Sequence, residues 1–522
     1  MRKFRVCIVT VPLAFALVGL GLVVSASPPF AAASGAASDS LVIGSQIAPP
    51  ALDPTANASA AIDEVFDYNV YQHLVQLDPK GAIIPVLATG YNESSDGLTY
   101  TFKLRSGVSF SNGDPLTAAD VVFSLKRAAN ATSGYPYQPL VADVSTVTSP
   151  STDTVVVTLT HPDSQFLYDL AAYSNGVVLD PSTVATLATA PIGTGPYVFQ
   201  SQVSNYDIAL TANTKYWDGT PKLSAVTFRY FSSSTTLDSA LKSGEIQVID
   251  NLASAQDVSQ FRGNSAYKVI SGPTEGKIDL TINDSYGPLK NLKVRQAIAY
   301  ATNKKAVLKI DGAGYGTVIG SDQVPGDPWY TPSVNKTYAY SPAKAKKLLA
   351  QAGYKHGFSL TLTVPPYGYA ETAAPLIQAE LAAVGIKVVL KNIAWALWIS
   401  KVFEAHGYQL TIINQVEARD ISEYGDCSYY WKYTGCSQVS KMLTIADEAK
   451  TPAAGVAEFR AIVKKINEAA VIDWLYNPDQ LTVAAKDVVG LPSGAVAESF
   501  NLSFASIGGT LSATAKSEGF VN

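Results

Sequence analysis

Strand and helix patterns alternate between residues 341 and 414, and this alternation constrains the fold more than any other feature of the sequence. Ser341-Pro342 is typical of a helix start, with an N-cap serine before a proline at the first helical position, and Gly353 is typical of the helix end. The pattern then predicts a strand over 358–364, a helix over 372–384, a strand over 386–393, a helix over 395–405 and a strand over 408–414. This order predicts an α/β fold with a largely parallel sheet covered by helices. Because such sheets bind ligands beyond the carboxyl ends of their strands, the loop after Asn414 is a candidate site.

The first half of the chain carries similar signals. Residues 98–105 alternate between apolar and polar side chains after the turn Asp96-Gly97, which predicts a strand. Thr117 precedes an apolar helical stripe and Asp120 follows three residues later, a pattern typical of a helix N-terminus. Further strands are predicted over 154–160 and 225–231.

Size and charge limit the class of protein. A chain of 522 residues predicts two or three domains, and 47% apolar with 16% charged residues can bury large cores. Acidic residues number 43 against 38 basic ones, and no basic blocks occur. A nucleic-acid partner is therefore not expected, because phosphate backbones are bound by clustered positive charge.

The first 38 residues resemble a targeting segment. Arg2, Lys3 and Arg5 precede an apolar run over 6–24, and small residues with A-x-A character follow around 31–37. This pattern is typical of a secretory signal peptide, so we expect the protein to be exported to the periplasm or the outer face of the cell membrane. An uncleaved anchor is the alternative, since the apolar run is just long enough to span a bilayer.

Two cysteines, Cys427 and Cys436, follow the signal segment. In an oxidising compartment a close pair favours a disulfide over a metal site, and the residues between them include no histidine. We expect this disulfide to contribute about 2–3 kcal/mol and to fix an aromatic-rich loop.

Local catalytic motifs are absent from the sequence. The four histidines are widely separated without H-E-x-x-H spacing, no G-x-S-x-G is present, and 272–277 lacks the spacing of a phosphate loop. We therefore expect no cofactor, no metal and no enzymatic activity. An exported hydrolase that uses Glu417 and Asp420 as a dispersed acid pair is the alternative.

An ordered series of motifs carries a family resemblance. Y-Q-H-L-V-Q-L-D-P-K-G-A-I-I-P-V-L-A begins at Tyr71, and D-G-L-T-Y-T-F-K-L-R-S-G-V-S-F-S-N-G-D-P-L-T-A-A-D-V-V-F-S-L-K-R ends at Arg127. Later segments are P-I-G-T-G-P-Y (191–197), L-T-A-N-T-K-Y-W-D-G-T-P-K (210–222), L-K-S-G-E-I-Q-V (241–248), K-V-R-Q-A-I-A-Y-A-T-N-K-K-A-V (293–307), Y-S-P-A-K-A-K-K-L-L-A-Q-A-G-Y (340–354) and I-Q-A-E-L-A-A-V-G-I-K-V (377–388). Over most of 41–490 the chain resembles family 5 solute-binding proteins, the receptors of peptide and nickel ABC importers.

The resemblance implies an architecture and partners. It implies a periplasmic-binding-protein-like fold of two lobes joined by a hinge, which encloses a peptide or other small solute and delivers it unaltered to membrane permease subunits. We place lobe I at 40–283 plus 475–522, its extra subdomain at 76–189, and lobe II at 284–474. We expect the receptor to act as a monomer.

The resemblance also suggests ligand-binding residues in the segment after 408–414. Glu417 matches the acid that pairs with a peptide amino terminus in dipeptide-type relatives, and Asp420 matches a second acid three residues later. A buried ammonium needs such a partner charge. The alternative for either acid is a solvated loop carboxylate. Arg419 is expected to pair with one of them or to anchor a ligand carboxylate.

Further candidates lie elsewhere in the chain. Trp395 and Trp398 are expected either to wall an apolar side-chain pocket or to pack in the core, and Tyr367 matches a pocket tyrosine of dipeptide receptors. The loop 59–62, with Ser59 and Ala60, is expected to face the same cleft.

One position departs from the dipeptide receptors. They carry an arginine that binds the peptide carboxylate directly before the Pro-Tyr pair, where this chain has Pro365. The change favours longer peptides held by backbone hydrogen bonds, or a different solute. Within the family, nickel or a nickel chelate is the alternative ligand.

Overall fold

The structure is a computed structural model that describes residues 39–252 and 254–522. The predicted signal segment 1–38 lies outside the described residues. The described chain forms a mixed α/β fold of two lobes.

Lobe I contains most of the strands. They are β1 (Ser40–Ser45), β2 (Val75–Leu77), β3 (Ile83–Pro85), β4 (Ala88–Glu93), β5 (Thr99–Leu104), β6 (Val144–Ser151), β7 (Thr154–Leu159), β8 (Tyr197–Val203), β9 (Asp207–Ala212), β10 (Ala225–Tyr230), β11 (Val248–Ile249) and β12 (Tyr267–Pro273). Its helices are α1 (Ala60–Phe66), α2 (Ala118–Ala129), α3 (Phe166–Ala172) and α4 (Ser234–Ser243).

Lobe II follows, and the chain then returns to lobe I. The strands of lobe II are β13 (Lys277–Ile282), β14 (Gly316–Val318), β15 (Phe358–Val364), β16 (Ile386–Asn392) and β17 (Leu410–Gln415), and β18 (Ile472–Ala485) leads back. The helices of lobe II are α5 (Leu292–Ala301), α6 (Lys304–Ile310), α7 (Pro342–Gln351), α8 (Gly368–Ala383), α9 (Trp395–Trp398), α10 (Cys436–Asp447) and α11 (Pro452–Ala469). The last elements are β19 (Val488–Val489), β20 (Leu491–Pro492), β21 (Ser506–Ile507), α12 (Ala513–Ser517) and β22 (Phe520–Val521).

One sheet runs through both lobes. Its order is β16-β15-β17-β13-β18-β11-β1-β10-β9-β8, and β12 and β14 also pair with β18. The first half of β18 pairs with β13 and β14, whereas its second half pairs with β11 and β12. The chain therefore crosses between the lobes at 274–276 and again within β18 near Asn477. The exact domain boundaries placed from the sequence remain a prediction.

Parallel pairing occurs in both lobes. In lobe I, strand β1 pairs in parallel with β10 and with β11. Strand β15 pairs in parallel with β16 and with β17, as the alternating pattern predicts for this segment. The expectation of a largely parallel sheet is wrong for its centre, where β13 pairs antiparallel with both β17 and β18. The reason is the hinge itself: one crossing strand leaves lobe I and its neighbour returns to it, so the two run in opposite directions.

Three local predictions needed correction. The helix expected over 395–405 is the short α9 followed by a π-helical segment, Ile399–Glu404. The helix expected over 372–384 begins earlier, at Gly368, because the amides of Ala370 and Glu371 already donate to the carbonyl of the N-cap Tyr367. The segment 59–62 is not a loop but the N-cap Ser59 and the first turn of α1, with the amide of Ile62 donating to the Ser59 carbonyl.

A separate four-stranded sheet, ordered β4-β5-β7-β6, lies within the range predicted for the extra subdomain. It packs with α2 and α3 around buried side chains that include Phe102, Val157 and Leu125. The predicted start of α2 is confirmed, because the Thr117 amide donates to Asp120 Oδ2 at 2.8 Å. This subdomain carries the segment 163–173 to the boundary with lobe II.

No helix in the described ranges combines the length and the apolar character needed to cross a membrane.

Candidate functional site

A cavity of about 330 Å³ lies between the two lobes. Lobe I contributes Ala60, Tyr137, Gln165, Asp169, Tyr173 and Glu498 to its lining. Lobe II contributes the continuous segment 416–423 together with Trp329. The volume lies at the lower end of the range usual for small-molecule sites, about 300–1,000 Å³.

The segment 416–423 follows directly from the end of strand β17. The strand ends at Gln415, a short loop follows, and a 3₁₀ helix begins at Asp420. Between them Arg419 adopts a left-handed backbone conformation with φ of 50°, which turns the chain back across the cavity. The cavity therefore lies where the strand order predicts a ligand site, beyond the carboxyl end of a parallel strand.

Lys277 is the buried cation beneath this segment. Strand register places it opposite Gln415, and only 1% of its surface is exposed. Its ammonium donates to the carbonyl of Glu417 at 2.8 Å and lies 3.4 Å from Oδ1 of Asp420. A charge so deeply buried is tolerated only with such partners, so Lys277 ties the loop to the sheet.

Asp420 is the buried partner in this pair, with 3% of its surface exposed. Burial raises the pKa of Asp420 to about 7, against the opposing attraction of Lys277. Burial also opposes the charge on Lys277, but the carboxylates of Asp420, Glu275 and Asp327 together raise the pKa of Lys277. Asp420 belongs to the cavity lining, and its Oδ2 accepts no hydrogen bond from the residues that the structure describes.

Arg419 reaches across the boundary between the lobes. Its Nη1 donates to Oε1 of Gln165, and its guanidinium lies 3.0 Å from the centre of the Tyr168 ring. On the side of lobe II it lies 4.9 Å from the Trp329 ring centre, with Nε 3.9 Å from Oδ1 of Asp327. These contacts occupy the guanidinium, so in this conformation Arg419 holds the lobes together.

Two further contacts join the lobes beside the cavity. The hydroxyl of Tyr173 donates to the Ala418 carbonyl at 3.2 Å. The Ser164 hydroxyl donates to the carbonyl of Ala446 at 3.0 Å, and its amide donates to the Asp447 carbonyl at 2.8 Å. The structure therefore shows the lobes in contact around a cavity, the arrangement that a closed two-lobe receptor needs.

Three glutamates, Glu417, Glu423 and Glu498, contribute carboxyl groups to the cavity lining. Glu417 is exposed to the cavity and accepts a hydrogen bond from the Val416 amide at 3.2 Å. Glu423 accepts one from Tyr429, whereas its buried Oε2 has no hydrogen-bond partner among the described residues. Burial and then the charge of Glu417 raise the pKa of Glu498 to about 7.

None of these three glutamates forms an ion pair with a lysine or arginine of the described chain. Carboxylates in a partly dry cavity gain most from a cation that they can contact directly. The site is therefore suited to a positively charged group on a solute.

The predicted aromatic residues lie at the same edge of the sheet but do not line the cavity. Trp395 stacks on Trp398 with ring centres 4.8 Å apart and meets Tyr367 edge-on at 5.1 Å. Trp398 is 3% exposed, and its indole donates to Oγ1 of Thr411 at 2.9 Å, so it packs in the core. Tyr367 and Trp395 remain 38% and 37% exposed. A ligand-binding role for these aromatics remains a prediction.

The predicted disulfide is present between Cys427 and Cys436. It closes a loop in which Tyr430 and Trp431 are buried, and the intervening Tyr429 reaches Glu423 of the cavity wall. The disulfide therefore supports one side of the cavity as well as the core of lobe II.

The structure brings some sequence candidates together and adds others. Glu417, Arg419, Asp420 and Ala60 line the cavity, and Ser59 is the helix cap beside Ala60. Sequence reasoning missed the following participants: Lys277, Gln165, Trp329, Glu423 and Glu498. A carboxylate three residues after Asp420 was a usable signal for one of them. The others come from distant segments, so no local pattern indicated them.

In the ranges 39–252 and 254–522, no group of three or more His, Cys, Asp or Glu side chains is arranged to hold a metal ion.

Comparison with known proteins gives a consistent assignment. The model of the bacterial extracellular solute-binding proteins, family 5, matches residues 82–431. The glutathione-binding protein GsiB of Escherichia coli strain K12 is 31% identical over 378 residues, which is 71% of this chain and 72% of that protein.

Solved structures show the same fold. HbpA2 from Haemophilus parasuis superposes with a TM-score of 0.77 at 25% identity, covering 90% of this chain and 99% of that one. The ABC transporter substrate-binding protein CtaP of Listeria monocytogenes superposes with a TM-score of 0.81 at 22% identity, with the same coverage.

Proposed function

Because the chain belongs to family 5 of the bacterial extracellular solute-binding proteins, we propose that it is an ABC-importer receptor for short oligopeptides. It holds the peptide between its lobes, pairs the peptide amino terminus with Glu417, and delivers the peptide unaltered to the permease. The observation that carries this proposal is the cavity itself, whose lining comes from both lobes and includes an exposed glutamate.

The two candidate acids have different surroundings. Lys277 already pairs with Asp420, whereas Glu417 has no cationic partner among the described residues. A peptide ammonium entering the cavity would restore a charge balance that the chain leaves open at Glu417. We therefore assign amino-terminus binding to Glu417 and a supporting role to Asp420.

The peptide carboxyl end has fewer partners. Arg419 is the cation in the described lining, and its guanidinium is already in contact with Gln165, Tyr168 and Asp327. Pro365 stands where dipeptide receptors carry their carboxylate-binding arginine. Both features favour a ligand longer than a dipeptide, whose carboxylate lies away from the pocket that binds the amino terminus.

Isothermal titration calorimetry tests this function on the purified protein. The titrants are dialanine, trialanine, tetraalanine, glutathione, Ni²⁺ and Ni²⁺–EDTA. We expect binding of the tripeptide or tetrapeptide at one site per chain. A bound nickel species with no peptide binding would assign the protein to the nickel branch of the family. If none of these titrants binds and no solute co-purifies with the protein, the receptor function is contradicted.

The hydrolase alternative is tested in the same samples. After prolonged incubation, mass spectrometry of the peptides is expected to show them intact, because Asp420 is held by Lys277. Fragments that appear with wild-type protein and disappear with Glu417→Gln would instead support hydrolysis.

A further inference from the structure

The cavity has more carboxyl groups without a cationic partner in the described chain than one peptide amino terminus can pair with. We propose that it selects solutes with two positive charges, so that the preferred peptides are basic ones whose Lys or Arg side chain pairs with Glu498 of lobe I. This inference rests on the proposed function and specifies the solute class for the same cavity.

Three glutamates of the cavity lining lack a cationic partner in the described chain. Lys277 compensates Asp420, and Arg419 lies against Asp327, but Glu417, Glu423 and Glu498 have no lysine or arginine partner in the described chain. One ammonium at Glu417 leaves the other two glutamates without a cation, and burial raises the pKa of both. A second cationic group would stabilise the ionised form of Glu498, because a desolvated carboxylate gains most from a partner charge.

Glu498 approaches the cavity from the lobe opposite to Glu417. It lies in lobe I whereas Glu417 lies in lobe II, and both line the same cavity. The charges that face Glu498 include Glu417 and Asp67, and Asp67 is itself in contact with His73 at 2.8 Å. When the lobes close, two like charges from opposite lobes approach each other, and cationic groups between them remove that repulsion.

The backbone holds Glu498 in place. The Ser499 hydroxyl donates to the Asp67 carbonyl at 2.5 Å, and the Phe500 amide donates to the Glu64 carbonyl at 3.0 Å. Both contacts tie the segment to helix α1, which also supplies Ala60 to the lining. Glu498 is therefore presented from the ordered body of lobe I.

A buried, unsatisfied oxygen gives independent support. Asp420 belongs to the cavity lining and is 3% exposed, and its Oδ2 accepts no hydrogen bond from the described residues. A hydrogen-bond donor on the solute would stabilise this oxygen, because leaving a buried acceptor without a hydrogen bond costs free energy. An ammonium or guanidinium offers several donors at once, whereas a neutral side chain offers fewer.

Calorimetry with matched tripeptides tests the inference. Ala-Lys-Ala, Ala-Gln-Ala and Ala-Glu-Ala share the amino terminus and backbone and differ in side-chain charge. We expect Ala-Lys-Ala to bind at least about tenfold more tightly than Ala-Gln-Ala, as one charge-assisted hydrogen bond allows, with Ala-Glu-Ala the weakest. Equal affinities, or a preference for the acidic peptide, would overturn the inference while leaving peptide binding intact.

Variants then locate the second charge. Glu498→Gln is expected to reduce the ratio between the lysine and glutamine peptides to less than about threefold, whereas the exposed control Glu404→Gln keeps it. If Glu498→Gln does not fold, Glu423→Gln provides the second test of the same ratio. A full lysine preference in the folded Glu498→Gln protein would refute the assignment to Glu498.

The diamine 1,4-diaminobutane separates the two proposals. Weak binding of the diamine beside tight binding of Ala-Lys-Ala supports a basic peptide. Tight binding of the diamine with no peptide binding would keep the two-charge inference and overturn the peptide function.

Discussion

Lys277 and Asp420 form a buried pair on which the loop of the cavity depends. The ammonium donates to the Glu417 carbonyl and forms an ion pair with the Asp420 carboxylate, so removing it leaves the carbonyl without this donor and a buried carboxylate without its counter-charge. This geometry explains why Asp420, although it occupies a predicted ligand position, contributes first to the structure of the site.

Lys277→Met is expected to lower the free energy of unfolding by about 3–5 kcal/mol, because it leaves the buried Asp420 unpaired. Urea unfolding followed by circular dichroism measures the change, and exposed Lys441→Met is the control. A loss below about 1 kcal/mol, the range of surface pairs, would show that the pair is not structurally important.

Glu417→Gln is expected to weaken peptide binding by about 2–5 kcal/mol, the cost of unpairing a desolvated charge. The effect should be seen with every peptide that has a free amino terminus, while the exposed control Glu404→Gln binds like the wild type. Calorimetry with trialanine and with N-acetylated trialanine separates the contributions. If the acetylated peptide binds the wild type equally well, the amino terminus is bound elsewhere.

The raised pKa values of Asp420 and Glu498, both about 7, predict opposite pH effects on stability and binding. In the unfolded chain these groups titrate near pH 4, so between about pH 4 and 7 the folded protein binds more protons. The free energy of unfolding of the solute-free protein should therefore fall as the pH rises through this window. Affinity for Ala-Lys-Ala should rise, because ionised carboxylates bind cations.

Urea unfolding and calorimetry at pH 5.5 and 7.5 measure these two trends. Glu498→Gln should make both dependences shallower, since it removes one titrating group. Affinity for Ala-Lys-Ala that is independent of pH would contradict the electrostatic account of the cavity.

At the scale of elements, the loop 427–436 connects the disulfide, the aromatic core of lobe II and the cavity. Tyr430 and Trp431 are buried within it, and Tyr429 donates to Glu423. The double variant Cys427→Ser, Cys436→Ser is expected to lose about 2–3 kcal/mol of stability, the value for a loop of this length. Unfolding of the oxidised wild type, the reduced wild type and the variant measures it; an unchanged midpoint would contradict it.

Local sequence patterns predicted the regular elements of lobe II well. The bounds of β15 match the predicted strand, and the N-cap Ser341 of α7 accepts from the Lys344 amide as the pattern indicates. Predictions failed where tertiary packing overrides propensity. Helix α8 begins four residues before its predicted start, and the π-helical segment Ile399–Glu404 replaces part of the regular helix that the sequence pattern predicts.

The site was predictable only in part, for a physical reason. Glu417 and Asp420 follow a strand whose end is visible in the sequence, so local pattern and resemblance both indicate them. Glu498 is about 80 residues further along the chain and reaches the cavity only because the chain returns to lobe I after β18. The antiparallel pairing of β13 with β18 at the hinge likewise depends on the chain order, in which β13 enters lobe II and β18 returns to lobe I.

On the scale of the whole molecule, the two lobes are joined by the crossing strands and by contacts at the cavity rim. Arg419 and Tyr173 supply rim contacts that do not require a solute. Closure should therefore be favoured by the chain itself and completed by the solute, which shifts the population between open and closed forms.

Arg419→Ala is expected to weaken all peptides by a similar factor, about tenfold, regardless of their charge, because it destabilises the closed form rather than one ligand contact. Small-angle X-ray scattering should show a larger radius of gyration for the variant than for the wild type at subsaturating peptide. A selective loss for Ala-Glu-Ala alone would instead identify Arg419 as a direct ligand for anionic groups.

The central claim, that the lobes enclose a solute and release it unaltered, is tested most directly by native mass spectrometry of the full protein incubated with Ala-Lys-Ala. The account predicts one peptide bound per chain, and a released peptide whose mass is unchanged after long incubation. A spectrum without the complex under conditions that preserve the fold, or the appearance of peptide fragments, would contradict it.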